Sequence, residues 1–316
     1  MFGKDWTRLQ PIAELELLRR YRFSQQYLPL LFEHIRVDEG TYVADVGCGT
    51  GYLSRQMALA VGEEGHVFAI DRDSGLLQTG CSIATQSNLG RNISFVNSDV
   101  YNIALEDNSV DVAISVSLFI HLKNHNAAIN EIMRILRPGG YLSIIEGTPF
   151  PATKGTVDLF ENSGYTDDAR LIELFRKIDE AWCEHAYPRV TKELNIAANC
   201  QGLLNTLPTI MKKAGLKNIE MNGHFSVLSL ADARIGESAA KSYIQEYFSY
   251  LEELVDSEWL ELKAIAQNIS KVKNSDVYEL KQLLSQKRDY LLENIQLLDE
   301  NLAWDGTVFL ISTGQK

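Results

Sequence analysis

Apolar positions follow two rhythms along this chain, and the change comes near residue 40. Between residues 12 and 35 they fall at helical spacing: Ile12, Leu15, Leu17, Leu18, Tyr21, Phe23, Tyr27, Leu30 and Leu31. Pro29 lacks a backbone donor, so this stretch is predicted as two helices broken there. From residue 42 short apolar runs take over, predicting strands at 42–46, 66–70, 92–97, 110–115 and 140–146. Helical spacing fills the gaps at about 51–61, 74–87 and 124–136. Strands alternating with helices predict a parallel sheet covered on both faces. Arg137-Pro138-Gly139-Gly140 reads as the turn between a helix and the fifth strand. Later come a helix at 204–214 ending at Gly215, a strand at 217–229 and a last strand at 306–313.

The densest signal is Tyr42-Val43-Ala44-Asp45-Val46-Gly47-Cys48-Gly49-Thr50-Gly51. A buried strand runs into glycines at 47, 49 and 51, and an amphipathic segment starts at Tyr52. Glycines at that spacing let the backbone turn sharply and approach a ligand, with the next helix's amino end aimed at it. A dinucleotide loop, G-x-G-x-x-G/A, needs a small third residue, but that place holds the large Tyr52. Asp45, just before the loop, would repel a pyrophosphate and attract an ammonium group. Asp71 ends the second strand and suits a pair of ribose hydroxyls, since a carboxylate can accept from both. Arg72 follows, where it could lie against a base.

Residues 43–51 closely resemble the first motif of the class I S-adenosylmethionine-dependent methyltransferases, including the quinone-biosynthesis and small-molecule enzymes. The resemblance covers about 40–147 firmly, and 204–229 with 304–314 loosely. It implies an α/β, Rossmann-like seven-stranded sheet, order 3-2-1-4-5-7-6 with the last strand antiparallel, and S-adenosyl-L-methionine as cofactor. Asp45 would then face the cofactor's amino group, with Gly47, Cys48, Gly49 and Gly51 in the loop beside it. Asp99 and Val100, after the third strand, would meet the adenine. The stretch from Ser115 and Val116 to Leu122 would pass beneath the sulfonium. Cys48 reads as a small filler, because methyl transfer needs no enzyme thiolate.

Methyl transfer is an in-line displacement, so the protein mainly aligns the reactants and excludes water. A hydroxyl acceptor usually needs a base. His121, shortly after strand four, is the first candidate, and Glu146, at the end of strand five, the second. Each also has a structural reading: a hydrogen-bonded histidine, and a carboxylate held by loop amides. Tyr21 and Tyr27 could close over the cofactor, and His185, Tyr187 and His224 could line an acceptor pocket. No Asp/Asn-Pro-Pro-Tyr/Phe run follows strand four, where Ser115-Val116-Ser117-Leu118 stands instead.

The resulting organisation is 1–39, helices covering the site; 40–149, the cofactor core; 150–203, a helical cap insertion; 204–230, the core resumed; 231–303, a helical insertion; and 304–316, the last core strand. Connections leaving strands five and six start at the ligand-binding edge of the sheet, so both insertions are placed to roof the site. A roofed pocket suits a small-molecule acceptor. In 231–303, Val277, Leu284, Leu291 and Leu298 recur every seven places, which suits a hairpin packed on its own domain or a homodimer surface.

Composition narrows the partners. The net charge of −12 repels nucleic-acid backbones, so no nucleic-acid partner is expected. Cysteines 48, 81, 183 and 200 form no C-x-x-C pair, so no metal site or disulfide framework is expected. Residues 1–10 are mixed and charged, unlike a signal peptide, and no apolar run reaches about 20 residues. A cytoplasmic protein without membrane contact is expected. Two other readings stay open: a cofactor-binding dimerisation module without catalysis, and a nicotinamide-dependent oxidoreductase, which Tyr52 and Asp45 oppose.

Overall fold

The structure, a computed structural model, describes residues 12–87, 89, 91–149, 165–194, 203–229, 236–265, 272–296 and 304–316. Two helices, α1 (Ile12–Arg22) and α2 (Leu28–Ile35), precede β1 (Tyr42–Val46). Then follow α3 (Tyr52–Ala60), β2 (His66–Asp71), α4 (Ser74–Gln86), β3 (Ile93–Asn97) and β4 (Val110–Val116). A short 3-10 turn (Phe119–His121) leads to α5 (His125–Ile135) and β5 (Leu136–Pro149). The seven strands form one sheet in the order β3-β2-β1-β4-β5-β7-β6. β1 to β5 pair in parallel, and β7 (Trp304–Gln315) runs antiparallel between β5 and β6 (Lys217–Ser229).

Helices cover both faces because the strands are apolar on both. On one face α2 and α3 bring Leu31, Ile35, Leu53 and Met57 against Val43, Val67, Ile114 and Ile145. On the other, Ile129 and Ile132 of α5, and Leu207 and Met211 of α8 (Leu203–Lys213), pack on Ala44, Ala113 and Ile144. Each large apolar side chain buried this way contributes about 1.5–3 kcal/mol.

Two boundaries differ from the sequence reading by more than two residues. The first helical stretch breaks at residues 23–27, not at Pro29, which sits in the first turn of α2. A missing donor costs nothing there, since that amide has no intrahelical partner anyway. Arg137-Pro138-Gly139-Gly140 is not a turn before β5 but lies within it. The pairing register with β4 shifts between Val110 and Val112, and Gly139 takes φ 85°, so the extra residues form an irregularity in a continuous strand.

The described parts of the two insertions join in one helical cap. From the first come α6 (Asp168–Ala181), a π-helical turn (Trp182–Ala186) and α7 (Tyr187–Glu193). From the second come α9 (Glu237–Ile265) and α10 (Asn274–Glu293). They share a separate core that includes Leu174, Ile178, Phe248 and Leu251. Leu17 of α1 belongs to this core, and Tyr21 meets Tyr243 edge-on at 4.8 Å between ring centroids. The seven-residue series turns inward: Val277, Leu284 and Leu291 are buried in the cap, while Leu298 lies outside the described residues. Lys287 falls on the same helix and is wholly buried, paired with Asp168 and facing the Tyr165 ring. A buried ammonium without such partners would cost several kcal/mol. Among the described residues, no helix is long and apolar enough to cross a membrane.

Candidate active site

The strand order reverses between β1 and β4, and a crevice opens at the carboxyl ends of the strands on either side. A cavity of about 720 Å³ fills it. From β1 and the loop after it come Asp45, Gly47, Cys48 and Gly49. Asp71 and Arg72 enter from the end of β2, and Asp99 and Val100 from the end of β3. Val116 and His121 enter from β4 and the turn beyond. The cavity therefore brings together the predicted loop and strand-end residues and His121, but not Gly51 or Glu146.

The loop is built to approach a ligand without offering it an anion site. Gly47, Gly49 and Gly51 all have positive φ, at 78°, 59° and 73°. At Gly47 a Cβ would meet Leu118 Cδ2 at 2.9 Å, so room as well as backbone conformation excludes a side chain. Gly51 starts α3 and lies off the cavity wall. The amides of Gly47 and Cys48 donate to the Ile70 carbonyl at 2.8 and 3.0 Å, and that of Gly49 to Asp71 Oδ2 at 2.9 Å. Three loop donors that a pyrophosphate would need are thus spent on β2.

Asp45 is buried and accepts from Ser54 Oγ at 2.5 Å. Burial pushes its carboxyl up to about 6, against the pull of the Ser54 hydroxyl and Arg19. A cationic ligand group beside it would favour the charged form. Asp71 accepts from the amides of Gly49 and Asp73, each at 2.9 Å, and burial raises it above the usual carboxylate range. Asp99 is exposed and accepts from the Tyr101 amide at 3.0 Å, so it orders its own turn as well as facing the cavity. Burial pushes the Cys48 thiol well up, which keeps it a thiol.

His121 follows a strained turn, with Ser117 at φ 54°. Burial, then the fields of Arg72 and Arg19, lower its imidazole to about 4, so it is neutral at ordinary pH. Glu146 is wholly buried behind that turn and accepts from the Phe119 amide at 2.6 Å, holding the stretch that carries His121. Burial raises its carboxyl to about 7, outweighing the Phe119 amide and Arg19. The folded protein therefore holds this proton more tightly than the unfolded chain, and stability falls as pH rises from about 4.5 to about 7. The corresponding window for Asp45 closes at about 6. Between pH 6 and 7, then, the parent protein is expected to lose stability relative to Glu146→Gln. Urea titrations of both proteins check this, and parallel pH profiles would mean that Glu146 titrates normally.

Sequence reasoning set residues 1–39 over the site but did not name the side chains of α1 that face it. Leu15 and Arg19 line the cavity, and Glu16 pairs with Arg55 at 2.6 Å while Arg55 also donates to the Thr50 carbonyl at 2.6 Å. This helix is clamped to the glycine loop below and belongs to the cap core above. The described cap residues do not line the cavity; the cap meets its wall where Arg72 donates to the Leu194 carbonyl at 3.2 Å. Three arginines crowd the last turn of α1, but only the fold shows that Arg19 is the one facing inward. Tyr21 stays in the cap core, and Tyr27 stacks on His224 at 3.3 Å between centroids, away from the cavity. His185, Tyr187 and His224 do not line it either.

A seven-stranded sheet of this order, with a phosphate-averse glycine loop and acids at the ends of β1 and β2, defines the class I S-adenosylmethionine-dependent methyltransferases. The methyltransferase-domain family matches residues 37–215, more than half of the chain, and the chain belongs to it. S-adenosylmethionine is accordingly its cofactor. A demethylmenaquinone methyltransferase of Listeria monocytogenes is 34% identical over 157 residues, covering 49% of this chain and 62% of that protein. A ubiquinone/menaquinone biosynthesis C-methyltransferase of Pseudomonas paraeruginosa is 31% identical over 110 residues, covering 35% and 43%. The chain thus spans less than two thirds of the length of these curated relatives. Among solved structures, a SAM-dependent methyltransferase from Aquifex aeolicus aligns with a TM-score of 0.45 at 21% identity, covering 67% of this chain and 88% of that one.

Proposed function

We propose that this chain methylates a nitrogen or oxygen of a small-molecule acceptor. The observation that carries the reading is a neutral imidazole, His121, in the wall of a cavity whose other polar groups are suited to the cofactor. When bound, S-adenosylmethionine supplies an electrophilic methyl group on a sulfonium. Asp71 holds the ribose hydroxyls, Asp99 and Val100 meet the adenine, and Asp45 faces the amino group. His121 accepts a proton from the acceptor or orients it by a hydrogen bond. Leu15 of α1 and Leu118 help keep water from the reacting centre. A cavity of about 720 Å³ set in the crevice at the strand ends favours a small acceptor over a macromolecular surface.

A second reading has a carbon acceptor, and it is favoured by the Pseudomonas relative, whose name states C-methylation. Incubation with methyl-labelled S-adenosylmethionine and separate pools of amines, phenols and quinols tests both. Label recovered on nitrogen or oxygen supports the first reading, and label on a ring carbon supports the second. Label found only on protein or nucleic acid would overturn both.

A further inference from the structure

Glu146 is a buried acid without a part in the reaction described above. It lies near the end of β5, wholly buried and off the cavity wall. Its Oε1 accepts from the Phe119 amide at 2.6 Å, and the amides of Ile120 and Leu118 act on the same carboxyl. Its Oε2 is buried and has no hydrogen-bond partner among the described residues. Those three amides open the turn that carries His121. The first amides of a helical turn have no partner within it and need an acceptor from outside. Leu118, the residue before the turn, has no polar side chain to offer one. Glu146 supplies it from another strand.

The other holds on this turn show what the acceptor does for the site. The Ser117 amide donates to the Ile145 carbonyl at 2.9 Å, so β5 grips the turn through two successive residues. Phe119 is wholly buried, with its ring stacked on His125, and so anchors the turn in the core. Leu118 and His121 face the other way and stand in the cavity wall. The His121 amide donates back to the Leu118 carbonyl at 2.9 Å. A backbone strained at Ser117, φ 54°, keeps such a shape only where its neighbours impose it. We propose that Glu146 is a positioning residue for methyl transfer: its carboxyl caps the turn from behind and so sets the His121 imidazole in the cavity wall. Its importance for turnover rests on His121 acting on the acceptor. With one oxygen bare, the group is cheaper to bury protonated, in keeping with its rise to about 7. Its task is then that of a neutral hydrogen-bond acceptor, which glutamine also performs.

Nuclear magnetic resonance titration of the histidine rings tests this without any acceptor, the His121 signal being the one absent from His121→Ala. In the parent protein this ring is expected to titrate at about 4, held there by burial and by Arg72 and Arg19. Glu146 still carries its proton there, so replacing it changes no charge and the titration reports where the ring lies. Glu146→Ala should free the turn and move His121 up by about one pH unit or more, toward its ordinary value of 6.5. Glu146→Gln keeps an acceptor oxygen and should hold the ring at the parent's value. Affinity for S-adenosylhomocysteine, read by calorimetry, should stay at the parent's level in both variants, since Asp45, Asp71 and Asp99 stand on other strands. An unmoved ring in Glu146→Ala would overturn the proposal, as would an equal rise in Glu146→Gln or a rise that comes with lost cofactor binding. Should Glu146→Ala fail to fold, Glu146→Leu carries the test: it fills similar space without an acceptor, and an unmoved ring there is the contrary result. Parent-level turnover in His121→Ala would instead remove the reading on which the proposal rests, a result distinct from an unmoved ring.

Discussion

His121→Ala is expected to lower turnover by about 10²-fold while leaving cofactor affinity nearly unchanged. General base catalysis is worth roughly 10²–10⁴-fold, and the lower end applies because a base titrating near 4 is a weak one. Its low value follows from burial between Arg72 and Arg19, so the imidazole is already neutral across the physiological range. In the parent protein the turnover assigned to this group should therefore hold level above about pH 5 and fall as pH drops through about 4, as the imidazole gains its proton. The alanine variant should lack that acid limb. Stopped assays with labelled cofactor measure the rate, and calorimetry with S-adenosylhomocysteine measures the affinity. Turnover within threefold of the parent would return His121 to a structural role.

Asp71→Ala is expected to weaken S-adenosylhomocysteine binding by about 1.5–3 kcal/mol, or roughly 10- to 100-fold. Two effects combine at this residue. The carboxylate is suited to the sugar hydroxyls, and it also holds the amides of Gly49 and Asp73. Its loss frees the glycine loop from β2 as well as removing a ligand contact. Asp71→Asn keeps one acceptor oxygen and should fall between the two. Unchanged affinity in the alanine variant would exclude Asp71 from the cofactor site.

The cofactor side of this fold was legible because it is local. Asp45, the glycines and Asp71 sit within one βαβ unit, and strand ends follow directly from runs such as His66–Asp71. Glu146 illustrates the opposite case. The sequence placed it at a strand end, where either a catalytic or a structural role was open. Its distance from the cavity depends on how the 118–121 turn folds over it. Arg19 was invisible for a related reason. Its place in the cavity wall depends on α1 lying between the cap and the sheet, a packing that residues 12–22 do not encode alone. The seven-residue series in α10 was detected correctly as a packing seam, but its partners are helices from both insertions and not a visible sequence neighbour.

The antiparallel strand β7 has a consequence for how the chain reaches its native state. It separates β5 from β6, and the whole α9–α10 hairpin is made before it. As the chain emerges from the ribosome, β5 has β4 on one side and a bare hydrogen-bonding edge on the other. β6 at that stage has no strand to join. Such an edge is a template for pairing with other nascent chains. Closing it late, through contacts distant in sequence, makes the sheet slow to complete. The residues that line the cofactor crevice, Leu15 to Leu122, are all synthesised before the strand that fills that gap.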